Sequence, residues 1–255
     1  MKSYIEVFEE LKRDLYLIQP TLREMNLLYF NSHKNRYLSD LEIIEHYHET
    51  GRILEFGSFP FHLTYCLKKL GYDIVGLDIN PIRAEEFINK HNLVVKKCDF
   101  EIEKVPFEDN SINLIVFNEI FEHLRIDPIK TLKEVNRVMK PGAIMILTTP
   151  NLYSIERIIS FNVGKGFNIP YDEFKKLHTI GHMGHIREYS TNEVRQFLEN
   201  ADFRVIDVMY KIYDKRYKDN NKINGKLIAH LLLDLGYQIL PKLRPSQVII
   251  SKKVV

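Results

Sequence analysis

The chain has 255 residues, 45% hydrophobic and 27% charged, with 36 Lys and Arg against 34 Asp and Glu and a formal net charge of +2. That balance excludes a largely disordered chain and argues against an obligate DNA binder, whose basic surplus drives counterion release on phosphate contact. The two cysteines, Cys66 and Cys98, are too few for a disulfide scaffold or a structural zinc site, and they read as small buried residues of a reducing compartment.

The chain opens MKSYIEVFEELKRDLY, with acids where a secretory leader would be apolar. No run approaches the ~18 apolar residues that span a bilayer, so a cytoplasmic location is expected. Residues 1–50 read as helical, with Ile5, Phe8, Leu11 and Leu15 on one face, forming a cap on a domain that occupies residues 51–255. From Ile53 onward, strand-length apolar runs alternate with helical periods, the pattern of a parallel sheet covered by helices on both faces. Predicted strands are Ile53 to Phe56, Asp73 to Leu77, Val94 to Cys98, Asn113 to Asn118 and Ala143 to Thr149. Predicted helices between them are Leu63 to Leu70, Pro81 to Lys90 and Pro128 to Met139. Pro81 and Pro128 suit first helical turns, while Lys140, Pro141 and Gly142 are expected to end a helix and turn the chain into a strand.

Residues 151–189 form an insertion rich in Gly, His and aromatic residues, expected to be irregular and to contact substrate. Ser190 and Glu193 make a capping box before Val194, Phe197 and Leu198. A strand from Phe203 to Met209 follows. Leu227, Leu231, Leu235 and Ile239 recur every four residues with Ile228 and Leu232 beside them, which predicts a helix on the sheet before a last strand, Gln247 to Ser251.

Ligands of an open parallel sheet bind beyond the carboxyl ends of the strands. Those ends carry Glu55-Phe56-Gly57-Ser58-Phe59, Asp78-Ile79, Asp99-Phe100 and Asn118-Glu119. An acid about twenty residues past a glycine turn accepts ribose hydroxyls, and Asp78 follows Gly57 by 21 positions. The turn holds one glycine where a dinucleotide fingerprint wants three, with Phe59 and Phe61 at the other two positions, so NAD and FAD are disfavoured and a nucleoside without phosphates fits.

The run ILEFGSFPFHLTYCLKKLGYDIVGLDINP, then KKCDFEIEKVPFEDNSINLIVFNEIFEHL and TLKEVNRVMKPGAIMILTTPN, resembles the class I S-adenosylmethionine-dependent methyltransferases, and HIREYSTNEVRQFLENADFRV extends the likeness more weakly. The resemblance implies a Rossmann-like α/β three-layer sandwich with a mostly parallel seven-stranded sheet, and S-adenosyl-L-methionine as cofactor. By position it implies that Glu55 and Gly57, with Ser58 and Phe59 in the same turn, lie at the methionine moiety. Asp78, with Ile79, would meet the ribose, Asp99 and Phe100 the adenine, and Asn118 the methionine part. The Phe59-Pro60-Phe61 turn departs from the small residues usual there.

Methyl transfer needs an aligned nucleophile and a proton acceptor. Glu119, Glu122 and His123 would share one helical face if a helix begins after Asn118, and His185 follows from the insertion. Three readings stand side by side: His123 or His185 as general base, a divalent ion held by Glu119, Glu122, His123 and His185, or a structural Glu122-His123 pair. The ion-binding pattern resembles that of small-RNA 2′-O-methyltransferases and some quinone-pathway O-methyltransferases. His178, His182 and His185 lie among glycines and read as loop residues more than as a zinc triad, and Lys165, Lys175 and Arg187 as surface charge. The expected activity is O-methylation of a small-molecule or saccharide-containing acceptor. The alternatives are a non-catalytic binding protein of this fold and an RNA 2′-O-methyltransferase, with near-neutral charge weighing against nucleic acid.

Overall fold

The structure is a computed structural model that describes residues 3–19, 23–179, 184–185, 187–213 and 233–254. Two helices come first, α1 (Tyr4–Asp14) and α2 (Arg23–Tyr47). They are followed by β1 (Arg52–Phe56), α3 (His62–Lys69), β2 (Asp73–Asp78), α4 (Glu85–His91), β3 (Val95–Lys97) and β4 (Ile112–Asn118). Then come α5 (Pro128–Val138), β5 (Met139–Pro150), α6 (Ile155–Asn162), α7 (Pro170–Thr179), α8 (Thr191–Glu199), β6 (Phe203–Lys211), a helical stretch at 233–239 and β7 (Ser246–Lys253). The seven strands lie in the order β3-β2-β1-β4-β5-β7-β6, with β7 antiparallel to both neighbours and the other pairings parallel. This is the Rossmann-like sandwich expected. The order reverses between β1 and β4, which places a crevice at their carboxyl ends.

Successive residues of a strand point to opposite faces, and the central strands, covered on both sides, are apolar at nearly every position. Ile53, Leu114 and Val116 join a core with Val7, Phe8, Leu11, Phe30, Leu41 and Leu67, so α1, α2 and α3 pack on one face. Leu54, Phe56, Ile115 and Phe117 join the other core with Leu132, Val135, Val194 and Leu198 of α5 and α8. The buried face of α1 is Val7, Phe8 and Leu11, and Ile5 stands 68% exposed, contrary to the helical-face reading of the sequence. α1 and α2 thereby share a core with the sheet.

Other local expectations shift for physical reasons. Pro81 opens a 3-10 turn, Pro81–Ala84, and the α-helix starts only at Glu85. Lys140, Pro141 and Gly142 lie inside β5, where pairing jumps from Ile112↔Met139 to Leu114↔Ile144, so the turn is an irregularity in the ladder with Gly142 at φ +77°. The insertion is not irregular throughout, because it holds α6 and α7, and Ser154 caps the first of them. Leu235 and Ile239 are exposed at 52% and 67%, and Tyr237 supplies the buried contact instead. Leu227, Ile228, Leu231 and Leu232 lie outside the described residues, as do His182 and the side chain of His178. Ser190 and Glu193 form the predicted capping box.

Candidate active site

Gly57 leaves β1 with φ +61°, a conformation that costs L side chains ~1–2 kcal/mol. A Cβ there would lie 2.1 Å from Ile120 Cδ1, so backbone and Ile120 are in direct contact. The Ser58 N–H and hydroxyl both donate to the Leu77 carbonyl (2.9 and 3.1 Å), and Gly76 makes room because a Cβ would fall 2.6 Å from Ser58 Oγ. The two aromatic residues of the turn leave its backbone accessible: Phe61 is fully buried in the core, and Phe59 stacks under the Arg83 guanidinium at 3.8 Å.

Asp78, at the end of β2, is 4% exposed and accepts from the Phe59 N–H at 3.2 Å, the Asn80 N–H at 2.8 Å and Arg83 at 3.0 Å. A carboxylate offers about four acceptor sites, so one remains for a ribose hydroxyl. Ile79 is exposed next in the chain. Asp99 receives the Glu101 N–H at 3.3 Å and lies 3.9 Å from Arg125. Phe100 packs edge-on against Phe56 at 5.2 Å. Glu101, which the sequence reading missed, fixes this corner by accepting two backbone N–H groups and the Arg125 side chain.

Glu55 is buried beneath the turn and accepts from the Thr64 hydroxyl. Burial pushes its carboxyl up to about 8, with Thr64 opposing and Asp40 and Asp78 adding to the rise. Asp40 comes from α2, is 1% exposed and is pushed up to about 7 by burial. One Asp40 oxygen, Arg36 Nε and both amide atoms of Asn118 are buried without a well-formed hydrogen bond, while Arg36 reaches Glu119 at 3.6 Å. Arg36 and Asp40 carry no sequence signal, since helical spacing alone does not tell that α2 crosses the strand ends.

The expected helical face of Glu119, Glu122 and His123 does not form. The Glu119 N–H still bonds the Thr148 carbonyl (2.9 Å), so the strand ladder continues past Asn118, Glu119 adopts φ +54°, and only a 3-10 turn, Phe121–His123, follows. Glu119 accepts from Thr148 Oγ1 at 2.9 Å. Glu122 is buried, accepts from Thr149 Oγ1 at 2.8 Å through one oxygen and leaves the other without a hydrogen bond. Its carboxyl is held well above the usual range by burial and by the charge of Glu119.

His185 does arrive here. Its Nε2 lies 4.0 Å from that second Glu122 oxygen, its Nδ1 3.4 Å from Glu188, and its ring 4.9 Å edge-on from His123. His123 Nδ1 lies 2.9 Å from the Gly184 carbonyl, which fixes that nitrogen as a donor. Glu122, His123 and His185 each offer a ligand atom, all within 4.8 Å of one another, and Glu119 is not in the group. Glu188, 1% exposed, is clamped by Arg157 at 2.5 and 2.8 Å.

The family model described as a methyltransferase domain matches residues 28–208, more than half of the chain. The chain is similar to an uncharacterized methyltransferase of Schizosaccharomyces pombe, 28% identical over 124 residues that are 44% of each chain. It spans less than half the length of the curated relatives it matches. In fold it is similar to a SAM-dependent methyltransferase from Archaeoglobus fulgidus, with a TM-score of 0.58 at 17% identity over 89% of this chain and 99% of that one. A second solved neighbour is a SAM-dependent methyltransferase from Aquifex aeolicus, with a TM-score of 0.52 at 18% identity over the whole of both chains. The chain belongs to the methyltransferase-domain family, and its class is the S-adenosylmethionine-dependent one that its motifs resemble. No helix among the described residues is long and apolar enough to cross a membrane.

Proposed function

We propose that this chain methylates an oxygen of a small-molecule or saccharide-containing acceptor, with His185 as the base. The observation that carries the reading is the meeting of His185, from the insertion, with Glu122 and His123 of the 3-10 turn that follows β4. Gly57 leaves no space for a side chain, Asp78 keeps acceptor capacity, and Asn118, Arg36 and Asp40 hold buried polar atoms without a well-formed hydrogen bond, so these residues fit a nucleoside joined to an amino-acid zwitterion. Asp78 would hold the ribose and Asp99 with Phe100 the adenine. Asn118, Arg36 and Asp40, beside the Gly57 turn, would hold the amino-acid end.

When bound, S-adenosylmethionine supplies an electrophilic methyl on a sulfonium, which becomes a neutral thioether as the carbon–sulfur pair leaves with sulfur. The chain's own task is alignment and proton removal. As the acceptor oxygen bonds the methyl carbon, its proton passes to His185. Glu188, held by Arg157, orients the ring and stabilises the imidazolium, and the buried Glu122 carboxyl, held by Thr149, lies beside its Nε2. The test is release of S-adenosylhomocysteine from a labelled methyl donor. His185→Ala should lower kcat by ~100-fold or more with cofactor affinity unchanged, and Asp78→Asn should weaken cofactor binding by ~10-fold or more, as expected for loss of a charge-assisted hydrogen bond. Cofactor binding with no transfer to any acceptor would favour a non-catalytic protein of this fold.

A second reading rests on the buried oxygen of Glu122 that faces His185 without a hydrogen bond. Together with the two histidines it makes a three-ligand set for a divalent cation that would lower the pKa of the acceptor hydroxyl. Activity lost on chelation and restored by added metal would establish it, and activity indifferent to chelation would eliminate it.

A further inference from the structure

The insertion builds a pocket of about 370 Å³ against His185, at the lower end of the ~300–1,000 Å³ typical of ligand sites. Phe167, Pro170 and Phe174 supply its apolar walls, and Asn168, Glu173 and His185 its polar atoms. Two of those polar groups are already committed. Asn168 donates to the His185 carbonyl at 3.1 Å, and Glu173 accepts the His185 N–H at 2.9 Å. Gly184 permits the second contact, since a Cβ there would fall 1.4 Å from the Glu173 oxygen. These bonds fix the backbone of His185 and leave its imidazole, 33% exposed, as the polar group presented to a visitor.

Three cations near the pocket are paired. Lys176 pairs with Glu173 at 2.7 Å, Arg157 with Glu188 at 2.5 Å, and Arg187 with Glu193, so each of these cations already has its counter-ion and none of the wall residues is a cation. Lys165 and Lys175, next in the chain to Gly166 and Phe174, are not part of the wall, so a phosphate or nucleic-acid backbone entering the pocket would give up its hydration beside the Glu173 carboxylate with no cation in the wall, which is unfavourable. The wall residue Phe174 and its chain neighbours Ile169 and Tyr171 are large apolar side chains 60–75% exposed. Large exposed apolar side chains grouped around a pocket mark a surface that is covered in use.

We infer that the acceptor is an uncharged ring compound bearing a hydroxyl, whose apolar ring face lies on Phe174 and Phe167 while the hydroxyl meets His185. The inference rests on the methyltransferase reading above and deepens it by assigning the acceptor subsite and the acceptor's charge. Two sources share this chemistry, the C–H face of a saccharide and the ring of a phenol or quinol, because both stack on aromatic side chains and carry hydroxyls on the ring.

The experiment titrates the whole chain, with S-adenosylhomocysteine bound, against five probes: a methyl glycoside, a hydroquinone, the phosphate monoester of each, and a short RNA oligonucleotide. Ligand-observed NMR reads binding, and S-adenosylhomocysteine release reads turnover with the methyl donor. One neutral class should bind and its phosphate ester should bind at least ~10-fold more weakly. Phe174→Ala should raise the KM of the favoured neutral acceptor by ~10-fold through lost stacking and burial, leaving kcat and cofactor affinity within ~3-fold, and Phe174→Tyr should restore it. Tighter binding of a phosphate ester or of RNA, absence of binding by both neutral classes, or an unchanged KM in Phe174→Ala overturns the inference. Failure of the chain to bind S-adenosylhomocysteine at all overturns the underlying methyltransferase reading instead.

Discussion

Replacing Glu55 with Gln should abolish a pH dependence of folding that burial imposes on this one carboxyl. Glu55 has no water to solvate its charge, and its group moves from 4.5 to about 8 on folding. The folded state therefore keeps a proton that the unfolded chain releases, so the stability due to this group is complete below 4.5 and is lost as pH rises through 8. Each unit is worth ~1.4 kcal/mol, and integrating both titrations from about pH 5.5 to about pH 8 gives ~3 kcal/mol lost by the wild type. Gln keeps the acceptor that Thr64 donates to and never titrates, so the wild type should lose ~3 kcal/mol relative to Glu55→Gln across that interval. Urea unfolding of both proteins without cofactor, at several pH values and with m compared, measures the difference. Asp40, pushed up to about 7, titrates in both proteins, so only its coupling to Glu55 remains in the subtraction. Stability curves that run parallel within ~0.5 kcal/mol would refute the argument that burial keeps Glu55 protonated.

His62 gives the opposite sign. Burial lowers it to about 3 from 6.5, so its contribution is lost as pH falls, and His62→Phe should gain ~1.5 kcal/mol on the wild type between about pH 6.5 and about pH 5 in the same unfolding assay. Gly57→Ala combines φ +61° with a 2.1 Å contact to Ile120. It should destabilise the fold by ~2 kcal/mol and weaken S-adenosylhomocysteine binding in calorimetry, with Ile120→Ala recovering part of the stability in a double-mutant cycle. Arg157→Met strips a clamp from the buried Glu188 and should cost ~2 kcal/mol in thermal unfolding, whereas the exposed Arg52–Asp73 pair should show ~0.5 kcal/mol or less on Arg52→Met.

The sequence by itself determined the strands, the crevice and the acids that face it. Strand period, proline position and the 21-residue step from Gly57 to Asp78 are local properties, and a right-handed βαβ unit converts them into neighbouring strand ends. It also determined the helix starts that depend on short-range bonds, such as the Ser190 and Glu193 capping box. Where the expectation failed, a longer-range bond had prevailed over a local one. Glu119, Glu122 and His123 do not make an α-helical face because β5 keeps hold of the Glu119 N–H beyond the end of β4. Gly142 breaks the ladder within β5 rather than opening a turn before it, because Met139 already pairs with Ile112.

The tertiary structure alone decided which of the candidate residues meet. His185 lies 61 residues after Leu124, and nothing in its spacing from Glu122 tells that α6, α7 and the Arg157–Glu188 clamp fold it back onto the 3-10 turn. Arg36 and Asp40 reach Asn118 and Glu119 only because α2 shares a core with β1 and β4. Periodicity fixes which face of an element is apolar, but the side chains that converge from separate elements are chosen by how those faces pack.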